Sequence, residues 1–340
     1  MDFSFGVITY NSADYVLETL ESIKYQVINY GKNKNIELVI SDDGSKDLTV
    51  ELVNKWIAKN SIYFKNIEII TVPQNTGTVQ NYKRIFHKLN SEHFHIIAGD
   101  DLYTYKSVFE FAKYLNKYDI VTTIPIGLNE NRELFFNTNR VHRQIYRMRH
   151  KKFTCKQLSE LEMFGSFIHS PSTLFRKELL TEDIEKFVDS FYLYEDDPKY
   201  YRMLKNTNRI SFVISPIVIY RHLSKSVCHD NSNVGEIETK SFRADEINLC
   251  NYYISETHSS ILKVYLRSKI KMIRHGRQFN IYRIIRGLDT IKIRILNYLR
   301  GDNKRIQNEL EKFKMDVLKY YNEIHLIALR NTEEWMKGVR

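Results

Sequence analysis

Residues 94–101 read FHIIAGDD, a short apolar segment that ends in one glycine and two aspartates. Short apolar runs bounded by turn residues are typical of strands buried in a parallel sheet. A glycine at position 99 lets the backbone turn tightly after such a strand. We therefore predict a buried strand over Phe94–Ala98 whose carboxyl end presents Asp100 and Asp101.

The same order of a strand and then a helix recurs through the first 123 residues. Strands are predicted at 3–9, 36–41, 67–72, 94–98 and 119–123, and apolar residues at helical spacing follow each of the first four. This alternation predicts an α/β fold with a mostly parallel, doubly wound sheet, whose ligands bind beyond the carboxyl ends of the strands. The loops found there are polar and are predicted to share one rim: Thr9-Tyr10-Asn11, Asp42-Asp43-Gly44-Ser45, Gln74-Asn75-Thr76-Gly77 and Gly99-Asp100-Asp101.

Helical and strand periodicity weakens after the fifth strand. Residues 125–169 contain many Arg, His and Asn residues and are predicted to form loops or a subdomain over the rim. A strand at 172–176, a helix at 196–204 and a strand at 209–220 are predicted next. From residue 236 onward the chain is expected to be helical.

Cysteine usage, the lack of long apolar stretches and the distribution of charge limit the cellular compartment and the binding partners that the sequence suggests. Three cysteines stand far apart without a CxxC pair, which argues against a disulfide framework and a structural zinc site. Neither a basic leader nor an apolar stretch long enough to span a bilayer occurs, so a cytoplasmic protein is predicted. The net charge of +10 is concentrated in residues 261–305, where 13 Lys and Arg against 2 Asp give +11 and leave −1 for the rest.

Phosphate-binding motifs rich in glycine are missing after the predicted strands, both the dinucleotide fingerprint and the Walker-type loop. Asp100 and Asp101 instead offer carboxylates to a hard divalent cation whose other ligands are phosphate oxygens. Such a cation would neutralise a diphosphate.

Four motifs in this order resemble those of the glycosyltransferase family 2 enzymes, whose catalytic domain has the GT-A fold. They are Asp42-Asp43-Gly44-Ser45, Asn75-Thr76-Gly77, Gly99-Asp100-Asp101 and Glu195-Asp196. The resemblance covers roughly residues 1–225. It implies a Rossmann-like catalytic domain over 1–235, with a nucleotide-binding half at 1–123 and an acceptor-binding half at 124–235, before a helical region at 236–340.

In that family the loop after the first strand and an aspartate after the second recognise the nucleotide. The resemblance assigns the nucleotide sugar to Thr9, Tyr10, Asn11, one of Asp42 and Asp43, Asn75, Gly77, Asn81 and Asp100. A carboxylate that accepts the N3–H of uracil favours uridine over cytidine, which lacks that donor. Alternatively, Asp42-Asp43-Gly44-Ser45 only turns the chain and caps the next helix.

The family's metal motif is Asp-any-Asp, and Gly99 stands where its first carboxylate would be. This departure implies Asp101 as the direct ligand of Mn²⁺ or Mg²⁺, with His222 within reach of the metal or the diphosphate. Arg221 or Lys225 could meet phosphate charge. A capped turn without metal and a surface-loop histidine are the alternatives.

Glu195-Asp196-Asp197 falls where the family carries its general base, at the start of a helix. The resemblance assigns to Asp196 the deprotonation of the acceptor hydroxyl in an inverting transfer, and to Glu195 the binding of an acceptor hydroxyl. The alternative is structural, because three acids followed by Pro198 also make a favourable helix start.

The basic C-terminal region contains an amphipathic pattern. Its apolar residues repeat at spacings of three and four: Ile281, Ile284, Ile285, Leu288, Ile291, Ile295 and Leu299. Contact of 261–305 with an anionic membrane, a packed helical domain and a homo-oligomer interface all remain open.

The leading hypothesis is an inverting transferase that moves a hexose or N-acetylhexosamine from a UDP-sugar to a hydroxyl of a glycan or lipid-linked oligosaccharide. Such a reaction belongs to cell-surface polysaccharide synthesis, capsule included, on the inner face of the cell membrane. A sugar nucleotidyltransferase is one alternative. The other is a non-catalytic nucleic-acid-binding protein, which leaves the acidic loops unexplained.

Overall fold

A computed structural model describes residues 1–149, 153–223, 241–275, 281–299 and 302–336. Its central sheet has four parallel strands in the order β3-β2-β1-β4. The strands are β1 (Phe3–Thr9), β2 (Ile36–Asp42), β3 (Asn66–Thr71) and β4 (Phe94–Ala98). Four of the five strands predicted for this sheet are present, within one or two residues at their ends.

Helices cover both faces of the central sheet. They are α1 (Val16–Tyr30), α2 (Thr49–Asn60), α3 (Thr78–Lys88) and α4 (Val108–Ala112). Phe5 and Val7 of β1 point into the core that contains α1 and α2, whereas Val39 of β2 points into the core that contains α3. At Gly6 an added Cβ would lie 2.7 Å from the Ile85 side chain, so the glycine lets α3 pack directly on β1. The predicted doubly wound arrangement is confirmed.

The fifth predicted strand does not join the central sheet. It forms β6 (Ile120–Thr123), which lies in a second sheet of order β10-β6-β9, with β9 (Thr173–Phe175) and β10 (Ile210–Val213). A third sheet has the order β5-β11-β7-β8 and consists of β5 (Leu102–Tyr103), β7 (Ile126–Leu128), β8 (Leu134–Phe135) and β11 (Val218–Arg221). The single strand predicted at 209–220 was wrong, because the chain leaves one sheet and enters another around Pro216, which has no N–H to donate.

Residues 125–169 are more regular than the sequence indicates. They contain β7, β8 and two helices, α5 (Thr138–Arg149) and α6 (Cys155–Phe164). On α5, Val141 and Ile145 are buried one turn apart, and with Met148 they repeat at helical spacing among many basic residues. A capping box between Thr154 and Gln157 starts α6. Next come α7 (Glu182–Val188) and α8 (Asp196–Asn206).

The C-terminal part is helical as predicted, with α9 (Phe242–Glu256), α10 (Ser260–His275), α11 (Ile281–Leu299) and α12 (Asp302–Met336). Tyr253 of α9 and Leu266 of α10 share a core with α3 and α8, and Trp335 of α12 shares the core of α1 and α2. The predicted domain boundary after residue 235 lies outside the described residues, and the helices beyond it share the cores of the preceding part. Within the described ranges no helix is both long and apolar enough to cross a bilayer.

Candidate active site

The loops after the first two strands are joined at the rim of the central sheet. Thr9 donates its hydroxyl to Asp42 Oδ2 at 3.0 Å, and its carbonyl accepts the Asp43 N–H at 2.9 Å. Asn81 of α3 donates its amide to the same carbonyl at 3.2 Å. Thr9, Asp42, Asp43 and Asn81 therefore lie together, as the sequence predicts for loops at the carboxyl ends of adjacent strands.

Asp42 and Asp43 are both almost fully buried, at 3% and 2% exposure. Asp42 accepts the Gly44 and Ser45 N–H groups and the Ser45 hydroxyl as well as the Thr9 hydroxyl. Asp43 accepts the N–H and hydroxyl of Thr76, the N–H of Gly77 and the guanidinium of Arg84. Each carboxylate already has four donors from the protein, so both shape the loops of the rim.

Arg84 is a rim residue that the sequence reasoning missed. It pairs with Asp43 at 2.5 Å and donates to the Thr76 hydroxyl at 2.7 Å. It stands on α3 seven residues after Gly77, and residues seven apart occupy the same face of a helix. That spacing could have predicted that Arg84 lies near Gly77, although Arg84 is outside the polar loop that follows β3.

Two backbone positions fix the outer part of the rim. Asn11 has φ +49° and accepts the Lys46 N–H on its side chain at 2.8 Å, while the neighbouring Tyr10 is 45% exposed. Gly77 has φ +91°, and a Cβ there would lie 2.6 Å from the Tyr192 carbonyl oxygen. Only glycine fits this close approach, which brings the loop before α8 onto the loop after β3.

Asp100 and Asp101 follow β4, as predicted, but their environments differ. Asp100 is half-buried, whereas Asp101 is 1% exposed. Asp101 accepts the backbone N–H of Arg221 on Oδ1 at 2.8 Å. Burial raises the pKa of Asp101 well above its ordinary value, and the charge of Asp100 adds to this shift. Burial also raises the pKa of Asp100, against the opposing effect of Arg221.

These residues suit a divalent cation. Asp101 Oδ2 is buried and has no hydrogen-bond partner among the residues that the structure describes, and two adjacent carboxylates resist ionising together unless a cation intervenes. The centre of the His222 ring lies 4.8 Å from that of the Phe135 ring, and the backbone N–H of His222 donates to the Leu128 carbonyl. In the described part of the chain no group of three or more His, Cys, Asp or Glu gathers, so phosphate oxygens and water would complete the coordination.

The prediction that Arg221 meets phosphate charge was wrong, and Lys225, the other candidate, lies outside the described residues. The Arg221 guanidinium pairs with Glu18 and donates to the Asp100 carbonyl at 2.8 Å, and the residue is 7% exposed. His222 follows β11 directly and has different neighbours, because its ring lies beside those of Phe135 and Tyr220.

The three acids before and within the first turn of α8 have different partners. Glu195 forms an ion pair of 2.5 Å with Lys199, whose ammonium group lies 3.9 Å from the centre of the Tyr82 ring. Asp197 accepts the Tyr194 hydroxyl. Asp196 accepts its neighbour's N–H at 3.0 Å, and burial together with the charge of Glu195 raises its pKa to about 6. Asp196 is therefore the carboxylate best suited to exchange a proton near neutral pH.

Asp245 on α9 holds the segment that leads into these acids. Its Oδ2 accepts the N–H groups of Tyr192, Leu193 and Tyr194 at 2.9, 2.6 and 3.1 Å, and the residue is 2% exposed. The contact spans about 50 residues, so the sequence gives no local signal for it. A C-terminal helix thus positions the segment that carries Asp196.

Asp245→Ala should destabilise the fold, because three backbone donors would lose a charged acceptor in a buried site. We expect a loss of about 2–4 kcal/mol in the free energy of unfolding, measured by urea denaturation. Asp289→Ala on α11 is the comparison, since that aspartate lies far along the chain from the Tyr192–Tyr194 contacts. Equal losses in the two variants would contradict the role of Asp245.

A family model described as Glycosyl transferase family 2 matches residues 4–183, which is more than half of the 340 residues. A Mycoplasma genitalium protein described as an uncharacterized glycosyltransferase is 32% identical over 126 residues, covering 36% of this chain and 40% of that protein. Poly(ribitol-phosphate) beta-N-acetylglucosaminyltransferase TarS of Staphylococcus aureus is 24% identical over 223 residues, covering 65% of this chain and 35% of TarS. The matched segments therefore span less than half of each of these relatives.

Solved structures of S. aureus TarS 1–349 share the fold. The complex with UDP-GlcNAc has a TM-score of 0.54 at 17% identity and covers 99% of this chain and 92% of that chain. The complex with UDP has a TM-score of 0.52 at 15% identity, with the same coverage. This likeness confirms the predicted GT-A fold and includes the helices after residue 241. Because the family model matches more than half of its residues, the chain belongs to glycosyl transferase family 2.

Proposed function

We propose that the protein is an inverting glycosyltransferase that moves a hexose or N-acetylhexosamine from a UDP-sugar to a hydroxyl of a glycan or lipid-linked oligosaccharide. The observation that carries this proposal is Asp196, a carboxylate with a pKa of about 6 on a segment that packs against the nucleotide-side rim at Gly77. The TarS complex with UDP-GlcNAc, which has the same fold, supports the choice of donor.

Asp196 acts as the general base in this proposal. Transfer with inversion requires that the acceptor hydroxyl lose its proton as its oxygen attacks C1 from the face opposite the diphosphate. A carboxylate with a pKa near 6 is ionised at neutral pH and still basic enough to take that proton. Glu195, held by Lys199, binds an acceptor hydroxyl.

The nucleotide lies on the rim formed by the first three loops. Tyr10, exposed beside Thr9 and Asn11, offers a ring on which the base stacks. Asp42 or Asp43 accepts the N3–H of uracil by exchanging one of its protein donors. Asn75, Gly77 and Asn81 form the side of this site that adjoins Tyr192.

The acidic pair holds the divalent cation, Mn²⁺ or Mg²⁺. When bound, this cation neutralises the charge of the departing diphosphate. Asp101 offers its unpartnered Oδ2, and the partial exposure of Asp100 makes it a second direct ligand rather than a nucleotide contact alone. His222, at the end of β11, is the third residue proposed to reach the metal or the diphosphate.

A panel of nucleotide sugars tests the donor. The purified protein is incubated with Mn²⁺ and each nucleotide sugar, and both thermal shift and slow hydrolysis are measured. We expect the UDP-sugars to stabilise the protein and only one to be hydrolysed appreciably. Release of pyrophosphate from UTP would instead indicate a sugar nucleotidyltransferase, and oligonucleotide binding without UDP binding would indicate a nucleic-acid-binding protein.

We propose that the C-terminal helix α11 brings this activity to an anionic membrane surface in the cytoplasm. Seven apolar residues of α11 are 41% to 73% exposed: Ile281, Ile284, Leu288, Ile291, Ile295, Tyr298 and Leu299. At 100° per residue they fall within an arc of about 100°. Tyr282, Ile293 and Asn297, on the opposite side, are buried against the rest of the protein.

The edges of this apolar arc are cationic. Arg283 and Arg294 are exposed along one edge, and Lys292 is exposed along the other. A second copy of this helix would bring like charges together along both edges, whereas an anionic bilayer would meet them with opposite charge. A lipid surface therefore fits the arc better than self-association does.

Leu288→Glu with Ile295→Glu should weaken binding to phosphatidylglycerol-containing vesicles at least about tenfold, because two apolar side chains that enter the headgroup boundary become charged. Vesicle sedimentation measures the binding. The matched control is Met315→Glu on α12, a residue 74% exposed but outside the arc. Unchanged vesicle binding, or dimers in solution that the double variant dissociates, would overturn the membrane assignment.

A further inference from the structure

The long C-terminal helix α12 contacts α1 through a buried histidine. His325 Nδ1 lies 2.6 Å from Glu18 Oε1, and the two residues are 8% and 5% exposed. Glu18 stands in the first turn of α1, the helix that follows the rim loop of Thr9. His325 of α12 thus contacts a carboxylate on the helix that begins after the rim loop of Thr9.

Glu18 uses its other carboxylate oxygen to hold Arg221. The two residues form a buried ion pair, and the guanidinium also lies over the Tyr15 ring at 4.5 Å. Arg221 in turn binds both members of the acidic pair. Its Nε donates to the Asp100 carbonyl at 2.8 Å, and its backbone N–H donates to Asp101 Oδ1 at 2.8 Å.

This series of contacts sets the position of the acidic pair. A buried ion pair keeps its geometry only while each charge retains its partners, because an unpaired buried charge is costly. Glu18 fixes the guanidinium of Arg221 with Oε2, and His325 fixes Glu18 at Oε1. Thr19, next to Glu18, donates its hydroxyl to the Asp101 carbonyl at 2.7 Å, so α1 also holds the turn directly.

We propose that His325 is a positioning residue, which acts through Glu18 and Arg221 to orient Asp100 and Asp101 for their divalent cation. The inference rests on the proposed function, in which this pair holds the metal on the diphosphate. It gives α12 a role in the chemistry in addition to its packing on α1. Removing a residue that directly contacts a metal ligand typically lowers metal affinity by about 10- to 100-fold.

The same two helices provide a matched control. Asn331, also on α12, donates its side-chain amide to Glu21 Oε1 at 3.1 Å. Glu21 lies on α1 and accepts from Trp56 Nε1 at 2.8 Å. This contact resembles that of His325 in its partner helix and its acceptor, but it leads into the core of α2 and away from the acidic pair.

The test compares Mn²⁺ binding by the full chain and three variants: His325→Leu, His325→Gln and Asn331→Leu. Free Mn²⁺ is measured by electron paramagnetic resonance, UDP affinity with and without Mn²⁺ by calorimetry, and Tm by thermal denaturation. We expect His325→Leu to weaken Mn²⁺ binding about tenfold, the lower end of the range for residues that contact a ligand directly, because it acts through Glu18 and Arg221. His325→Gln, whose amide can still donate to Glu18, should stay within about threefold of the wild type. Asn331→Leu should lower Tm without changing Mn²⁺ affinity.

Leucine at position 325 removes a buried Nε2 that has no hydrogen-bond partner among the residues that the structure describes, so the main cost of this variant is the lost contact of Nδ1 with Glu18. If that variant nevertheless fails to fold, Glu18→Gln reports on the same contacts, since it keeps the side-chain volume but weakens the hold on Arg221. We expect this variant to lose Mn²⁺ affinity as well.

The Mn²⁺ and UDP measurements distinguish a failure of the positioning role of His325 from a failure of the proposed function. Equal Mn²⁺ affinity in the His325→Leu and Asn331→Leu variants, alongside a wild type that binds Mn²⁺ and UDP, would overturn the positioning role alone. A wild-type protein that binds neither Mn²⁺ nor UDP would overturn the proposed function and the positioning role with it.

Discussion

Asp196→Asn should abolish sugar transfer while leaving the nucleotide sugar bound. The amide cannot take the proton of the acceptor hydroxyl, so we expect kcat to fall by about 10²- to 10⁴-fold. The dissociation constant for the donor, measured by calorimetry, should stay within about threefold of the wild type, because a general base acts in the transition state. Loss of donor binding in this variant would count against the role.

Asp197→Asn is the matched control for this prediction. Asp197 is adjacent to Asp196, and burial raises its pKa to about 6 as well, but its carboxylate is bound to the Tyr194 hydroxyl. We expect it to retain kcat within about tenfold of the wild type. If Asp197→Asn were the more damaging change, the base would have to be reassigned to Asp197.

The pKa of Asp196 also sets the pH dependence. A base must be ionised, so kcat of the wild type should fall as the pH is lowered through about 6. The same shift destabilises the fold at neutral pH, because a raised folded-state pKa means that the fold prefers the neutral carboxyl. Asp196→Asn should therefore gain about 3 kcal/mol of unfolding free energy at pH 7, since each pKa unit corresponds to about 1.4 kcal/mol. The gain should vanish below the ordinary pKa of 3.8, where both states are protonated.

Removing either charge of the acidic pair should abolish metal-dependent donor binding. Residues that only contact metal ligands affect metal affinity by about 10- to 100-fold, so Asp100→Asn and Asp101→Asn should each exceed about 100-fold if both carboxylates bind the cation. The measurements are Mn²⁺ affinity and the difference in UDP affinity with and without Mn²⁺. Metal-dependent binding that persisted in Asp101→Asn would overturn its assignment as a ligand.

The two variants should differ in stability. Asn at position 101 can still accept the Arg221 N–H, and it removes a buried carboxylate whose pKa is raised well above its ordinary value. Asp101→Asn is therefore expected to raise Tm at pH 7, whereas the half-buried Asp100 should give a smaller gain. A fall of several degrees in Tm for Asp101→Asn would indicate that its charge is needed for folding.

The sequence was sufficient to predict which loops form the rim. Strands β1 to β4 are short apolar runs, and the carboxyl ends of parallel strands meet at one edge, so Thr9, Asp42, Asp43 and Asp100 followed from strand ends alone. The hydrogen-bond partners of these residues could not be predicted from the strand ends. Asp42 and Asp43 were expected to face the ligand, yet each has four protein donors, because loops with so many unpaired N–H groups need acceptors of their own.

The contacts that position the chemistry are those that local patterns cannot report. Asp245 reaches the segment before Asp196 across about 50 residues, and His325 reaches Glu18 across 307. Neither shows a periodicity or a motif. The fifth strand was assigned to the wrong sheet for a related reason, since β6 pairs with β9 and β10, both distant in sequence.

The distance between Glu18 and His325 has a consequence for folding during synthesis. Glu18 is synthesised 307 residues before the histidine that contacts it. At about 5–20 residues per second, the nascent chain carries this acidic helix without its final partner for roughly 15–60 s. The nascent chain therefore passes through a long interval in which α1 lacks the cover of α12.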